Sequence, residues 1–386
     1  IVSNSVIDTF TAITPKKGKH IVLIILESAR ADLLDQKING NYVAPALRSI
    51  ALSGTSIKQA YSHTGYTTTS LKAIFNRNII GKNDANLLSF LQQSGYQQSI
   101  ISGQDESFGD VAIRTGMKEE GVYYFDARTA IEDRTYVSKS SGSLRLSEER
   151  VVKQFKLRAD ELNFSQPQFI YLNFQAAHFP YSHPKMTKRI IQDFIPRSEI
   201  NIENKEWVEA TYWNAIANAD WAVGEVMNEL KKHHVLQDTV VVILGDHGES
   251  LFDDGFLGHG HAVNDSQTKI PLIINDPNID VHEVIGQVDV AEMAVRSALG
   301  LENQWINQDK AIFQLVGSLN RPQLIAHVRN GVDRTVFDFR SEEVFFSADK
   351  VWKTYKEAIS DIQYKDRIES LIRDWESLRW KANLRE

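Results

Sequence analysis

The chain contains no cysteine. Disulfides, Cys-rich zinc sites and thiol nucleophiles are thereby excluded. No apolar run approaches the roughly 18 residues that a transmembrane helix requires. The longest candidate, IVLIIL, has the length of a buried strand. There is no Lys/Arg run, and the formal net charge is −7, so nucleic acid is not an expected partner. Internal repeats and low-complexity linkers are missing too. Lack of Cys suits an exported and a cytosolic protein equally, which leaves the compartment open. The chain starts at Ile1 rather than Met. It reads as a fragment or a processed product, whose anchor or signal peptide could have lain upstream.

What is present is an ordinary globular composition over 386 residues, 42% hydrophobic and 24% charged. That length allows one large α/β domain or two smaller ones. Residues 1–19 end in the polar TPKKGK and read as a lead-in. HIVLIIL (20–26) is a continuous β-branched run, the pattern of a strand buried on both faces of a parallel sheet. Helical and strand patterns then alternate: helix 85–95, strand 96–102, helix 147–162, strand 168–174, a long helix near 205–232, and strands 239–245 and 270–275. This rhythm predicts a doubly wound parallel sheet with helices on both faces. After Leu301 the rhythm changes. Strand-like 322–329 and 334–346 precede an amphipathic helix near 364–382, with Ile368, Leu371, Ile372, Trp375 and Leu378 inward. The expected division is a catalytic region over 20–315 and a small α+β subdomain over 316–386.

In open α/β sheets, ligands bind beyond the carboxyl ends of the strands. Glu27 follows IVLIIL directly. Asp246 and His247 follow VVVILG, and His178 follows QFIYLNF within QAAHFPY. The strand-like TSIKQAYSH leads into YTTTS, where Thr67, Thr68, Thr69 and Ser70 precede a helical pattern. Those hydroxyls have two readings. They can cap the helix, or one can be a nucleophile where the helix N-terminus favours an anion. Carboxylates and imidazole converging on one sheet edge suit a divalent metal, zinc or manganese.

The segments VLIILESARADLL, HTGYTTTSLKAIFNR, AAHFPY and ILGDHGESLFDDGFLGHG, in this order, resemble the sulfatase branch of the alkaline phosphatase superfamily. More narrowly they resemble its membrane-anchored phosphotransferases. Those are the phosphoethanolamine transferases that modify lipid A, and lipoteichoic acid synthase with related phosphoglycerol transferases. The resemblance implies an alkaline-phosphatase/sulfatase-like fold, a central, mostly parallel sheet between helices. It implies one divalent ion held by Glu27, Thr67, Asp246 and His247, with Thr67 as nucleophile. His178 and His259 take the place of substrate-facing imidazoles. His63, His261, Gln104 and Asp105 are weaker candidates for substrate contact, while His233 and His234 are expected to face solvent.

The sequence also departs from parts of that family. Arylsulfatases oxidise Cys or Ser to formylglycine within a Cys/Ser-x-Pro-x-Arg signature, whereas here Thr67, Thr69 and Leu71 occupy those places. A sulfate-ester substrate is therefore disfavoured. The segment 102–117, with Phe108 and Gly109 and no Lys near its start, looks more like the phosphoglycerol transferases. The implied activity is transfer of a phosphoethanolamine or phosphoglycerol head group from a phospholipid to a membrane or cell-envelope acceptor, through a phospho-threonine. The expected location is the extracytoplasmic face of a bacterial membrane. The alternatives are a hydrolase of the same fold and a non-catalytic lipid-binding domain.

Overall fold

The structure is a computed structural model that describes residues 5–8, 18–81, 86–330 and 333–384. Most of the expected lead-in over 1–19 lies outside the described residues. Seven strands form the central sheet: β1 His20–Leu26, β2 Thr55–Ser56, β3 Gln97–Ser102, β4 Tyr123–Phe125, β5 Gln168–Phe174, β6 Thr239–Gly245 and β7 Leu272–Ile274. Their spatial order is β2-β7-β6-β1-β5-β3-β4. The run from β6 to β4 is parallel throughout.

All seven residues of β1 are buried, as its unbroken apolar run predicts. Successive side chains leave opposite faces of a strand. Val22, Ile24 and Leu26 accordingly enter one core, and Ile21, Leu23 and Ile25 enter the other. The first core is covered by α2 (Glu148–Glu161) and α3 (Lys205–Lys232), the second by α1 (Thr67–Asn76) and α4 (Gln287–Ala298). Helix α3 buries Val208, Tyr212, Ile216, Ala219, Val223, Val226 and Leu230, which recur at helical spacing.

Two strand expectations change. The 270–275 run yields Leu272–Ile274, which pairs antiparallel to both β6 and β2. Composition reports burial on both faces but not strand direction. TSIKQAYSH breaks into Thr55–Ser56 and Ala60–Tyr61, which join different sheets because the polar Lys58 and Gln59 lie in a turn between them.

Beyond the central sheet, β8 Ile312–Ser318, β9 Arg321–Val328, β10 Arg334–Asp338, β11 Glu343–Phe346 and β12 Val351–Thr354 form an antiparallel sheet in chain order. The final helix, α5 (Lys365–Asn383), packs on it through buried Ile368 and Leu371. Ile372, Trp375 and Leu378 pack partly buried beside them. No helix among the described residues is long and apolar enough to cross a membrane.

Candidate active site

The parallel register brings the chemistry together. Leu26 pairs with Gly245 on one side and Phe174 on the other, so Glu27, Asp246 and Gln175 leave neighbouring strand ends at one level. Ser28 turns the chain through the left-handed region, with φ of 55°. That turn is held from two sides: Ser28 N–H donates to Asp246 Oδ1 at 2.9 Å, and Tyr212 O–H donates to the Ser28 carbonyl at 2.7 Å.

The hydroxyl cluster does not cap its helix. Tyr66 is the N-cap residue of α1 and its side chain makes no capping bond. Thr67, the first helical residue, instead directs Oγ1 to Glu27 Oε1 at 3.1 Å and lies 3.2 Å from His247 Nε2. Ligand atoms of Glu27, Asp246 and His247 all lie within 4.8 Å of one another. Tyr66 O–H donates to the Gly260 carbonyl at 2.9 Å, which ties the Thr67 loop to the His259 loop. A Cβ at Gly65 would lie 2.6 Å from Gly260 N, so the two loops meet backbone to backbone.

Electrostatics sorts the groups. Burial pushes the Glu27 carboxyl up, but His178, His247, His259 and Arg145 outweigh it and hold it at about 2. Burial, together with the charge on Glu27, raises the Asp246 carboxyl well above the usual range. Burial and the neighbouring His259 lower His247 to about 4, so its imidazole is neutral. His247 Nδ1 donates to the Gly248 carbonyl at 2.8 Å, which leaves the Nε2 lone pair facing the cluster. Asp246 Oδ2 is buried without a hydrogen-bond partner and sits 3.3 Å from that Nε2. An orphaned carboxylate oxygen, an inward lone pair and a second carboxylate are the donor set of a divalent cation. The residues present therefore fit the metal.

The histidines divide. His259 Nδ1 donates to Glu249 Oε2 at 2.7 Å, and Tyr181 O–H donates to the other oxygen of Glu249 at 2.7 Å. Burial lowers the His259 imidazole, but the Glu249 bond and charge outweigh it and raise it overall. His178 lies across from it, with ring centroids 6.3 Å apart. Its Nδ1 donates to the Phe179 carbonyl, and its Nε2 accepts from Arg145 Nη2 at 2.8 Å. Burial and Arg145 lower its pKa. Both ring nitrogens of His178 are thus engaged, whereas Glu249 holds only Nδ1 of His259.

The weaker candidates separate from one another. His63 turns away: Nδ1 bonds the Phe313 carbonyl at 2.7 Å, and its ring abuts Gly286. Asp105 is buried and spent on Arg128, 2.8 Å away. Gln104 lies beside Arg145 in a backbone bridge, yet its amide donates to Glu106. His261 is exposed and near the His259 loop. His233 is half-buried in an ion cluster with Asp160 and Glu229, whereas His234 faces solvent as expected. Sequence reading missed Arg145, Gln175, Tyr181 and Glu249. Glu249 stands within the quoted GDHGES motif, but Arg145 lies in a stretch without periodicity and has no comparable signal.

A family model described as Sulfatase matches residues 19–298. The chain belongs to the sulfatase family. It has the fold of the alkaline phosphatase superfamily. A lipoteichoic acid synthase of Staphylococcus saprophyticus is 25% identical over 252 residues, 60% of this chain and 36% of that protein. Phosphoethanolamine transferase EptA of Escherichia coli K12 is 38% identical over 80 residues, 20% of this chain and 15% of that protein. This sulfatase-family chain thus spans well under half the length of either relative. Among solved structures, the lipoteichoic acid synthase LtaP from Listeria monocytogenes superposes with a TM-score of 0.66 at 16% identity, covering 98% of this chain and 97% of that one.

Proposed function

We propose that this chain is the catalytic part of a metal-dependent phosphotransferase that moves a phospho-head group from a phospholipid to an acceptor alcohol through phospho-Thr67. The observation that carries this reading is Thr67 Oγ1 at a helix N-terminus, 3.1 Å from Glu27 and 3.2 Å from His247. A zinc or manganese ion held by Glu27, Asp246, His247 and Thr67 Oγ1 would neutralise phosphoryl charge and acidify the hydroxyl.

The chain's own residues do the rest. Thr67 loses its proton to bulk water before the step, a loss the ion beside Oγ1 would favour, and the Oγ1 oxyanion, the form to which the second step returns it, bonds to phosphorus as the diacylglycerol oxygen leaves. His259 Nε2, freed by the Nδ1 bond to Glu249, protonates that oxygen. An acceptor alcohol then attacks phosphorus in line, returns its proton to His259 and expels Thr67 Oγ1. Arg145, lowered by burial to about 10, stays charged at neutral pH and offers guanidinium N–H groups to phosphoryl oxygens.

A groove of about 1030 Å³ runs outward from Arg145 and His178. Lys188 and Arg197 line it as well, and no lining residue is acidic. That field favours a neutral glycerol head group over an ethanolammonium, which supports phosphoglycerol as the group transferred. The donor would be a membrane phospholipid and the acceptor an envelope component, at the extracytoplasmic face.

The test is turnover of fluorescent phosphatidylglycerol and phosphatidylethanolamine with zinc or manganese, with mass spectrometry of the Thr67 peptide. Phosphoglycerol on Thr67 and on an added alcohol is expected. Free phosphoglycerol with no acceptor product would make the enzyme a hydrolase. Turnover retained in Thr67→Ala would sink the mechanism.

A further inference from the structure

Glu106 is fully buried in the loop after β3 and has no part in the mechanism above. Its Oε1 accepts from Ser102 Oγ at 2.7 Å, Tyr171 O–H at 3.1 Å and Asn173 Nδ2 at 3.1 Å. Its Oε2 accepts from Gln104 Nε2 at 3.0 Å. Four donors on one buried carboxylate are more than burial of a stray acid needs.

The Asn173 amide passes the pattern on. Its Nδ2 faces Glu106 and the Tyr171 oxygen, so its Oδ1 faces the other way and accepts from Gln175 Nε2 at 2.9 Å. The second N–H of that same Gln175 amide donates to Glu27 Oε2 at 3.1 Å. Each link has one polarity. An acceptor at Glu106 demands nitrogen from Asn173, which presents oxygen to Gln175, which presents nitrogen to Glu27.

The geometry points to Glu106 as a positioning residue that fixes the rotation of the Glu27 carboxylate through Asn173 and Gln175. Oε2 is pinned by the chain, and Oε1 is left aimed at Thr67 Oγ1. Without the acceptor at 106, both amides can turn over, and Gln175 would then oppose its carbonyl to the Glu27 carboxylate. Partners behind a metal ligand typically change metal affinity by about 10–100-fold. This inference rests on the proposed metal role of Glu27, so the experiment reads metal binding and coordinates rather than turnover.

Zinc affinity is measured by calorimetry on the wild type, Glu106→Leu, Glu106→Gln, Gln175→Met and the Glu106→Leu/Gln175→Met double variant. Glu106→Leu and Gln175→Met should each weaken zinc about 10-fold or more. The double variant should lose no more than either alone, because both cut one chain. Glu106→Gln keeps a carbonyl for Asn173, Ser102 and Tyr171 and should bind zinc within about 3-fold of wild type, whereas a merely structural carboxylate would predict no such rescue. Additive losses, or wild-type affinity in Gln175→Met, would overturn the inference even if Glu106→Leu fails to fold. A wild-type protein that takes up no zinc would instead sink the functional reading. Crystals of wild type and Gln175→Met would then still decide the bracket: a rotated Glu27 carboxylate supports it, and an unmoved one overturns it.

Discussion

Asp246→Asn should make the metal-free protein more stable while removing its response to metal. Asp246 Oδ1 accepts from the N–H groups of Ser28 and His247, each at 2.9 Å, and an amide oxygen can keep both bonds. The new N–H replaces the unpartnered Oδ2 and faces the His247 Nε2 lone pair, 3.3 Å away. What changes is charge. Ligand atoms of Glu27 and Asp246 lie within 4.8 Å of each other. Two full charges at that distance repel by ~3.5 kcal/mol at an effective dielectric of ~20. The wild type relieves part of this by holding a proton on Asp246, whose carboxyl is raised by burial and by Glu27. A carboxyl raised in the folded state stabilises below its unfolded value of about 3.9, and that contribution is lost as pH rises through the folded value. Metal-free wild type should therefore weaken as pH rises above the unfolded value of about 3.9, and the variant should not follow. Near neutrality the variant should gain about 1–3 kcal/mol in chelator, a fraction of the Coulomb figure. Zinc at about 100 times its dissociation constant should return ~2.7 kcal/mol to the wild type and far less to the variant. Urea denaturation in EDTA, then in zinc, reads both terms. A variant less stable than wild type in chelator, or equally rescued by zinc, would refute the reasoning.

Three further outcomes follow from the same geometry. Thr67→Ala should lower turnover by at least about 10³-fold with an unchanged melting curve, and Thr67→Ser should retain measurable phosphoryl transfer, since only the hydroxyl reacts; swapping that result onto Thr68 would misplace the nucleophile. Glu249→Gln removes the charge that raises His259, so the protonated acid is lost at lower pH and the alkaline limb of kcat/KM should move to more acidic values; an unmoved limb would dismiss His259 as the acid. Tyr181→Phe deletes the 2.7 Å bond to buried Glu249 and should cost about 1.5–3 kcal/mol in denaturant unfolding, with no loss larger than that of Thr67→Ala in turnover.

How far the sequence could be read follows from which signals are local. The limits of β5 and β6 match their apolar runs because a strand buried on both faces needs such a run and little else. Glu27, Asp246 and His247 were legible for a related reason: residues that follow adjacent parallel strands must emerge together, as the pairing of Leu26 with Gly245 requires. His63 shows where neighbourhood in sequence misleads. It lies four residues before Thr67, yet the short strand Ala60–Tyr61 and the C-terminal sheet claim its ring at Phe313. Arg145 has the opposite character. Nothing in SGSLRLSEER marks one Arg as buried, because a lone cation in an irregular stretch ordinarily stays in water. Only the packing of that loop against the β5 end sets its guanidinium on His178. Glu106 is the sharper case. By type and loop position it reads as a solvated charge, whereas the structure surrounds it with four donors on residues from two adjacent strands and the loop after β3. The groups that would hold metal and substrate are supplied by strand ends and are visible as a pattern. The groups that aim them depend on contacts between strand ends, which no single stretch of sequence contains.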